Sequence, residues 1–108
     1  MNQEVFKKAY EDQLCEHAVF VDYEEIVNDS TIRNTKEQNY CIGMEECSEL
    51  IQQLSKAQRG KMDRYHLLEE LADVLICIDK ICRQEGISKH QLYTAIEVKA
   101  LEIEKEKK

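Results

Sequence analysis

Proline and tryptophan are absent from this 108-residue chain, and glycine occurs only three times. With no helix-breaking ring and few flexible backbone positions, the composition argues against a turn-dense chain and for long uninterrupted helices. The five cysteines, at 15, 41, 47, 77 and 82, form no CxxC pair, and no histidine cluster accompanies them at zinc spacing. Their odd number, and the fall of several on apolar stripes, predict reduced, buried thiols in a cytoplasmic protein. No apolar run approaches the roughly 20 residues of a membrane span. Met1-Asn2-Gln3-Glu4 lacks the basic-then-apolar order of a signal peptide. Positive charge is also short: 15 basic residues face 22 acidic ones, a formal net charge of −7. That balance excludes a nucleic-acid backbone as partner, because affinity there comes from cationic phosphate contacts. It admits a polyphosphate ligand if a metal supplies the positive charge.

What the chain does have is 43% apolar and 34% charged residues, which suits a single all-α domain over 1–108 with a solvated exterior. It also has an internal repeat. Glu45-Glu46-Cys47-Ser48-Glu49-Leu50-Ile51-Gln52-Gln53-Leu54 returns 24 positions later as Glu69-Glu70-Leu71-Ala72-Asp73-Val74-Leu75-Ile76-Cys77-Ile78. At helical pitch each copy carries an apolar stripe, Cys47, Leu50, Ile51 and Leu54 in one and Leu71, Val74, Leu75 and Ile78 in the other. Beside each stripe stands an acid pair three residues apart, Glu46 with Glu49 and Glu70 with Asp73.

About four helices are expected. The first runs from about Asn2 to His17 on Val5, Phe6, Ala9, Tyr10 and Leu14, and 18–35 reads as a connection with turn chemistry at Asn28-Asp29-Ser30-Thr31. A second helix spans about Lys36 to Gln58, with Gly43 inside it hinting at a close backbone approach or a bend. Gly60 suits the left-handed residue after its end, and Asp63 caps a third helix from about Arg64 to Gln84. Gly86 closes that one, and Ser88 caps a fourth reaching toward Lys105. The short loop at 59–63 makes the two acidic helices antiparallel neighbours.

If the stripes of these two helices face each other about a rough two-fold axis, both acid pairs finish on one surface. Four ionised carboxylates so close repel strongly unless protons or cations intervene, and hard divalent cations are the usual partners of such oxygen sets. Asp73 in a helix interior supports a ligand role, since aspartate is a poor helix former there. The small Ser48 and Ala72 leave room beside it. A chain with 22 acids also acquires Glu-x-x-Glu spacings by accident.

The pattern Glu45-Glu46-x-x-Glu49 followed by Glu70-x-x-Asp73 resembles the EExxE…ExxD signature of the MazG-like, all-α nucleoside triphosphate pyrophosphohydrolases. Ser55-Lys56, Arg59-Gly60 and the text around both copies are similar too, over roughly Gln38 to Gln84. The resemblance implies a helical bundle completed by oligomerisation, as a homodimer or dimer of dimers. The implied reaction is hydrolysis of a nucleoside triphosphate to monophosphate and pyrophosphate. Glu46, Glu49, Glu70 and Asp73 would hold Mg²⁺, with Mn²⁺ as substitute, and Glu45 would orient or deprotonate the attacking water. Glu45 reads equally well as an ordinary exposed helix residue.

Lys56, Arg59 and Lys61 cluster at the loop between the acidic helices, where they could receive phosphates. Lys99 matches a lysine that the family sets near the phosphates, but Ile103 and Glu106 stand where the family often shows asparagine or arginine. Gln38, with Asn39 and Tyr40, is placed either to meet a nucleobase or to start the helix. His17, His66 and His90 read as isolated surface or satisfied residues. Two rivals stay open. One is a relative of dUTP/dCTP or phosphoribosyl-ATP pyrophosphatases; the other is a helical interaction protein that keeps its acids as a metal-binding site without turnover.

Overall fold

The computed structural model describes residues 2–15 and 18–107, so His17 lies outside the described residues. Five α-helices and no strand are found among them: α1 (Gln3–Leu14), α2 (Tyr23–Arg33), α3 (Lys36–Gln58), α4 (Arg64–Glu85) and α5 (Lys89–Lys105). The starts follow local chemistry. Asp63 accepts from the His66 backbone N–H, and Ser88 and Gln91 exchange the paired bonds of a capping box at α5. Gly60 and Gly86 take φ of 74° and 70°, the left-handed conformation that closes α3 and α4. No helix is long and apolar enough to cross a membrane.

The expected connection at 18–35 is instead largely α2, which raises the helix count from four to five. Its sequence is mostly polar and buries only Val27 and Thr31, so periodicity gives it little signal. The helix is fixed from outside. The Tyr23 hydroxyl donates to Asp79 (2.6 Å), and the Arg83 guanidinium donates to Glu24 (2.8 Å) and Asp79 (3.0 Å). Val19-Phe20-Val21 remains irregular and exposed.

Helices α3 and α4 form the centre and are antiparallel: Asn39 at the start of α3 meets Gln84 at the end of α4, and Gln53 meets His66 at the opposite ends. The seam between them corrects the expected packing. The buried residues of the two helices are Asn39 and Gln53 on α3 and Glu69, Glu70, Cys77 and Lys80 on α4. The apolar stripes are not closed into a core: Cys47 and Ile51 of one and Val74 and Ile78 of the other line an open groove. Cys47, Ile51, Leu54, Leu71, Leu75 and Ile78 are exposed, while Leu50 and Val74 are half-buried. Asn39 is 2% exposed and fully used: its amide donates to the Thr31 carbonyl (3.0 Å) and to Gln84 (2.8 Å), and its oxygen accepts from Asn34 (2.9 Å). Such a network fixes the α3–α4 register.

Gly43 makes no close approach within the chain, since an added Cβ would meet nothing within 4 Å. It lines an apolar groove with Tyr40, Met44, Cys47, Ile51 and Ile78. Cysteine burial is likewise narrower than expected: Cys77 is buried and Cys82 half-buried, whereas Cys15, Cys41 and Cys47 are exposed. Helix α5 is tied at its first turn, where Lys89 donates to Glu24 (2.8 Å), and every described residue beyond Leu92 is exposed.

Candidate metal centre

The polar seam of α3 and α4 is where the acids meet. Glu46 faces inward from the middle of α3, and Glu70 and Asp73, three residues apart and so on adjacent turns of one face, meet it from α4. One carboxylate oxygen from each of Glu46, Glu70 and Asp73 lies within 4.8 Å of the other two. Opposite oxygens around Mg²⁺ stand about 4.2 Å apart, so this set fits a hard divalent ion with small side-chain adjustments. Glu49 is exposed and completes the same groove, a space of about 410 Å³ also lined by Gln52, Gln53, Lys56, His66 and Glu69.

The electrostatics are those of a site built for a cation or a proton. Oε2 of Glu46 and Oε2 of Glu70 are buried without a hydrogen-bond partner. Desolvation, then the charge of Asp73 and of Glu49, pushes the Glu46 carboxyl up to about 7. Desolvation, then the adjacent Glu49, does the same for Glu70, again to about 7. Asp73 is also raised, chiefly by desolvation. The donor set is all oxygen, which is the chemistry Mg²⁺ or Mn²⁺ takes.

The remaining candidates divide. Lys56 lines the groove with the acids. Arg59 lies at the α3 end with its Nε donating to the Ser55 carbonyl (3.3 Å), and Lys61 is exposed in the following loop. Neither lines the groove. Glu45 is exposed on α3 and outside the groove lining. Gln38 forms the capping box of α3: its backbone N–H donates to Thr35 (3.1 Å), and its side-chain oxygen accepts from the Thr35 N–H (2.8 Å). Lys99 is exposed on α5 and pairs with Glu102.

His66 is satisfied by side-chain partners, one of the two states expected of it, and it lies in the groove beside the acids. Its Nε2 lies 3.5 Å from Oε1 of Glu70 and 3.4 Å from the Gln53 amide, and its Nδ1 is 2.6 Å from the Gln3 amide of α1. The signal was its place one turn before Glu70, the i, i+4 spacing that puts both on one helix face. No family model matches the chain, and neither a curated protein nor a solved structure matches it.

Proposed function

We propose that the chain is a Mg²⁺-dependent nucleoside triphosphate pyrophosphohydrolase of the MazG-like kind. The observation that carries this reading is the convergence of Glu46, Glu70 and Asp73 with two buried, unpartnered carboxylate oxygens in one groove. Glu46, Glu49, Glu70 and Asp73 would hold the ion, which when bound neutralises phosphate charge and acidifies water. Glu49, at the solvent edge, keeps its carboxylate available to the mouth of the groove. Lys56 supplies the cation that a distal phosphate needs. Glu45, one residue from Glu46 and open to solvent, is the remaining acid for a water at the rim. The chain's own acidity then serves selectivity: an unmetallated groove repels a triphosphate, so substrate binding waits for the ion.

The direct test is pyrophosphate release from a panel of canonical and modified nucleoside triphosphates, with Mg²⁺ and with EDTA. Release that requires Mg²⁺ and is lost in Glu46→Gln supports the reading. Silence across the panel while Mg²⁺ still raises the melting temperature moves the conclusion to a metal-binding protein without turnover.

The assembly belongs to the same proposal. The chain exposes 8711 Å² and has a radius of gyration of 16.5 Å. A compact monomer of this mass exposes only about 6,200 Å², and a compact 100-residue domain has a radius near ~13 Å. The excess, about 2,500 Å² per chain, lies in the range that obligate homodimers bury. The groove at Gly43 and the bare apolar residues of α5, among them Tyr93, Ile96 and Leu101, are the surfaces for a second copy to cover. A phosphate contact by Lys99 would then come from that copy. Sedimentation at a multiple of 12.7 kDa is expected, and Ile51→Glu, which sets a charge in the apolar groove, should shift the protein toward monomer. A wild-type monomer at micromolar concentration would overturn the assembly.

A further inference from the structure

The acid groove contains a second group of donors, of which the pyrophosphohydrolase reading uses only Glu70. His66, Glu69 and Glu70 occupy positions i, i+3 and i+4 of α4, so they project from adjacent turns of one face. One donor atom from each lies within 4.8 Å of the other two. These are enclosed groups. Glu69 is 7% and Glu70 4% exposed, and Oε2 of Glu70 has no hydrogen-bond partner although no water reaches it. A buried carboxylate of this kind is costly unless a cation or proton answers it.

The imidazole is held between Gln3 on one side and Glu70 on the other. The Gln3 side-chain amide, carried in on α1, sits 2.6 Å from Nδ1. In the structure it is the amide nitrogen that faces Nδ1; turned over, the amide would accept from Nδ1–H through its oxygen and leave the Nε2 lone pair to an ion beside Glu70, the outer-shell arrangement by which metal-bound histidines are oriented. Nε2 is the nitrogen that stands 3.5 Å from Oε1 of Glu70.

We propose that His66, Glu69 and Glu70 form a second cation site, joined to the acid centre through Glu70, and that its nitrogen ligand selects a borderline first-row ion such as Mn²⁺, Co²⁺ or Zn²⁺ over Mg²⁺. The chemistry of the donors sets the preference. Imidazole suits transition ions, whereas Mg²⁺ favours carboxylate, phosphate and water oxygen and gives up its hydration reluctantly. The two sites therefore divide the ions between them: the all-oxygen set of Glu46, Glu70 and Asp73 takes Mg²⁺, and the mixed set takes the softer ion. Glu70, the only residue common to both groups, is the bridge.

The inference rests on the metal-centre reading only through that shared carboxylate, and Co²⁺ separates the two. Co²⁺ is titrated into the full metal-free chain, with and without saturating Mg²⁺, and followed by calorimetry and by its visible absorption. A class of Co²⁺ sites equal to the chain concentration is expected to survive Mg²⁺ and to show the bands of nitrogen ligation. His66→Gln should weaken that class by more than the ~10–100-fold that loss of an outer-shell partner costs, while leaving the Mg²⁺-displaceable class in place. Glu69→Gln should do the same and decides the matter if His66→Gln does not fold. Glu46→Gln should remove only the displaceable class. Displacement of all Co²⁺ by Mg²⁺, or wild-type Co²⁺ binding in the folded His66→Gln and Glu69→Gln proteins, overturns the second site. An unchanged displaceable class in Glu46→Gln would instead overturn the acid centre and leave the histidine site standing.

Discussion

Asp73→Asn is expected to lower Mg²⁺-dependent pyrophosphate release by at least ~10²-fold, more than loss of an outer-shell partner would, while the metal-free protein keeps its helix content and melts no lower than wild type. The two halves of this result have one cause. Asp73 is half-buried beside Glu46, and its own carboxyl is raised, chiefly by desolvation. Asparagine keeps the shape and one oxygen but removes the charge. A divalent ion loses an anionic ligand, whereas the empty groove loses a repulsion against Glu46. Asparagine is no worse than aspartate in a helix interior, so the backbone gives no opposing term. Circular dichroism, thermal melting in EDTA and the release assay on one preparation check all three statements. If folding is lost while Mg²⁺ affinity is retained, Asp73 is a structural residue and the metal set must be redrawn.

The parts of this molecule that were legible in the sequence are those determined by neighbours along the chain. Asp63, Ser88, Gly60 and Gly86 end or start helices through bonds spanning a few residues, and they stand where local chemistry puts them. The spacing of Glu46, Glu70 and Asp73 was readable for the same reason, because helical pitch alone fixes which acids share a face. Helix α2 was not readable: its hold comes from Asp79 and Arg83, more than 50 residues downstream. The burial of the apolar stripes was not readable for a further reason. Their spacing predicts an apolar α3–α4 contact, but Asn39, Gln53, Glu69 and Glu70 are the buried groups there, and Ile51 and Leu75 stay exposed. An exposed apolar face of this kind marks a surface for a partner, and the second copy proposed above would cover it. His66 is satisfied as the sequence allows, but two of its partners, Gln3 and Gln53, belong to other helices and are not marked by spacing along the chain.

The metal-free protein should melt at a lower temperature at pH 8 than at pH 5, and Mg²⁺ should reverse that order. The folded chain raises Glu46 and Glu70 to about 7, well above an unfolded glutamate, so it binds protons more tightly than the unfolded chain does. Their protonation therefore contributes fully below the unfolded value, near ~4.3, declines as pH climbs between the two values, and is gone above about 7. Asp79, lowered mainly by its bonds from Arg83 and Tyr23 despite the larger opposing pull of desolvation, runs the other way. Its contribution is lost only at pH below the ordinary carboxylate range, which keeps pH 5 near the optimum. Every kcal/mol lost shifts the melting temperature of a domain this size by about 4–8 °C, so the effect is measurable with either carboxyl alone. Mg²⁺ competes with the same protons and binds best above about pH 7, where the groove is fully ionised. At a hundredfold excess over its dissociation constant it adds about 2.7 kcal/mol, enough to make stability rise with pH. Glu46→Gln should make both curves shallower, since glutamine neither titrates nor holds the ion, and leave Glu70 to titrate alone. A melting temperature in EDTA that is level or rising from pH 5 to pH 8 would show that the two glutamates are solvated and ionised throughout, and the metal centre would lose its electrostatic basis.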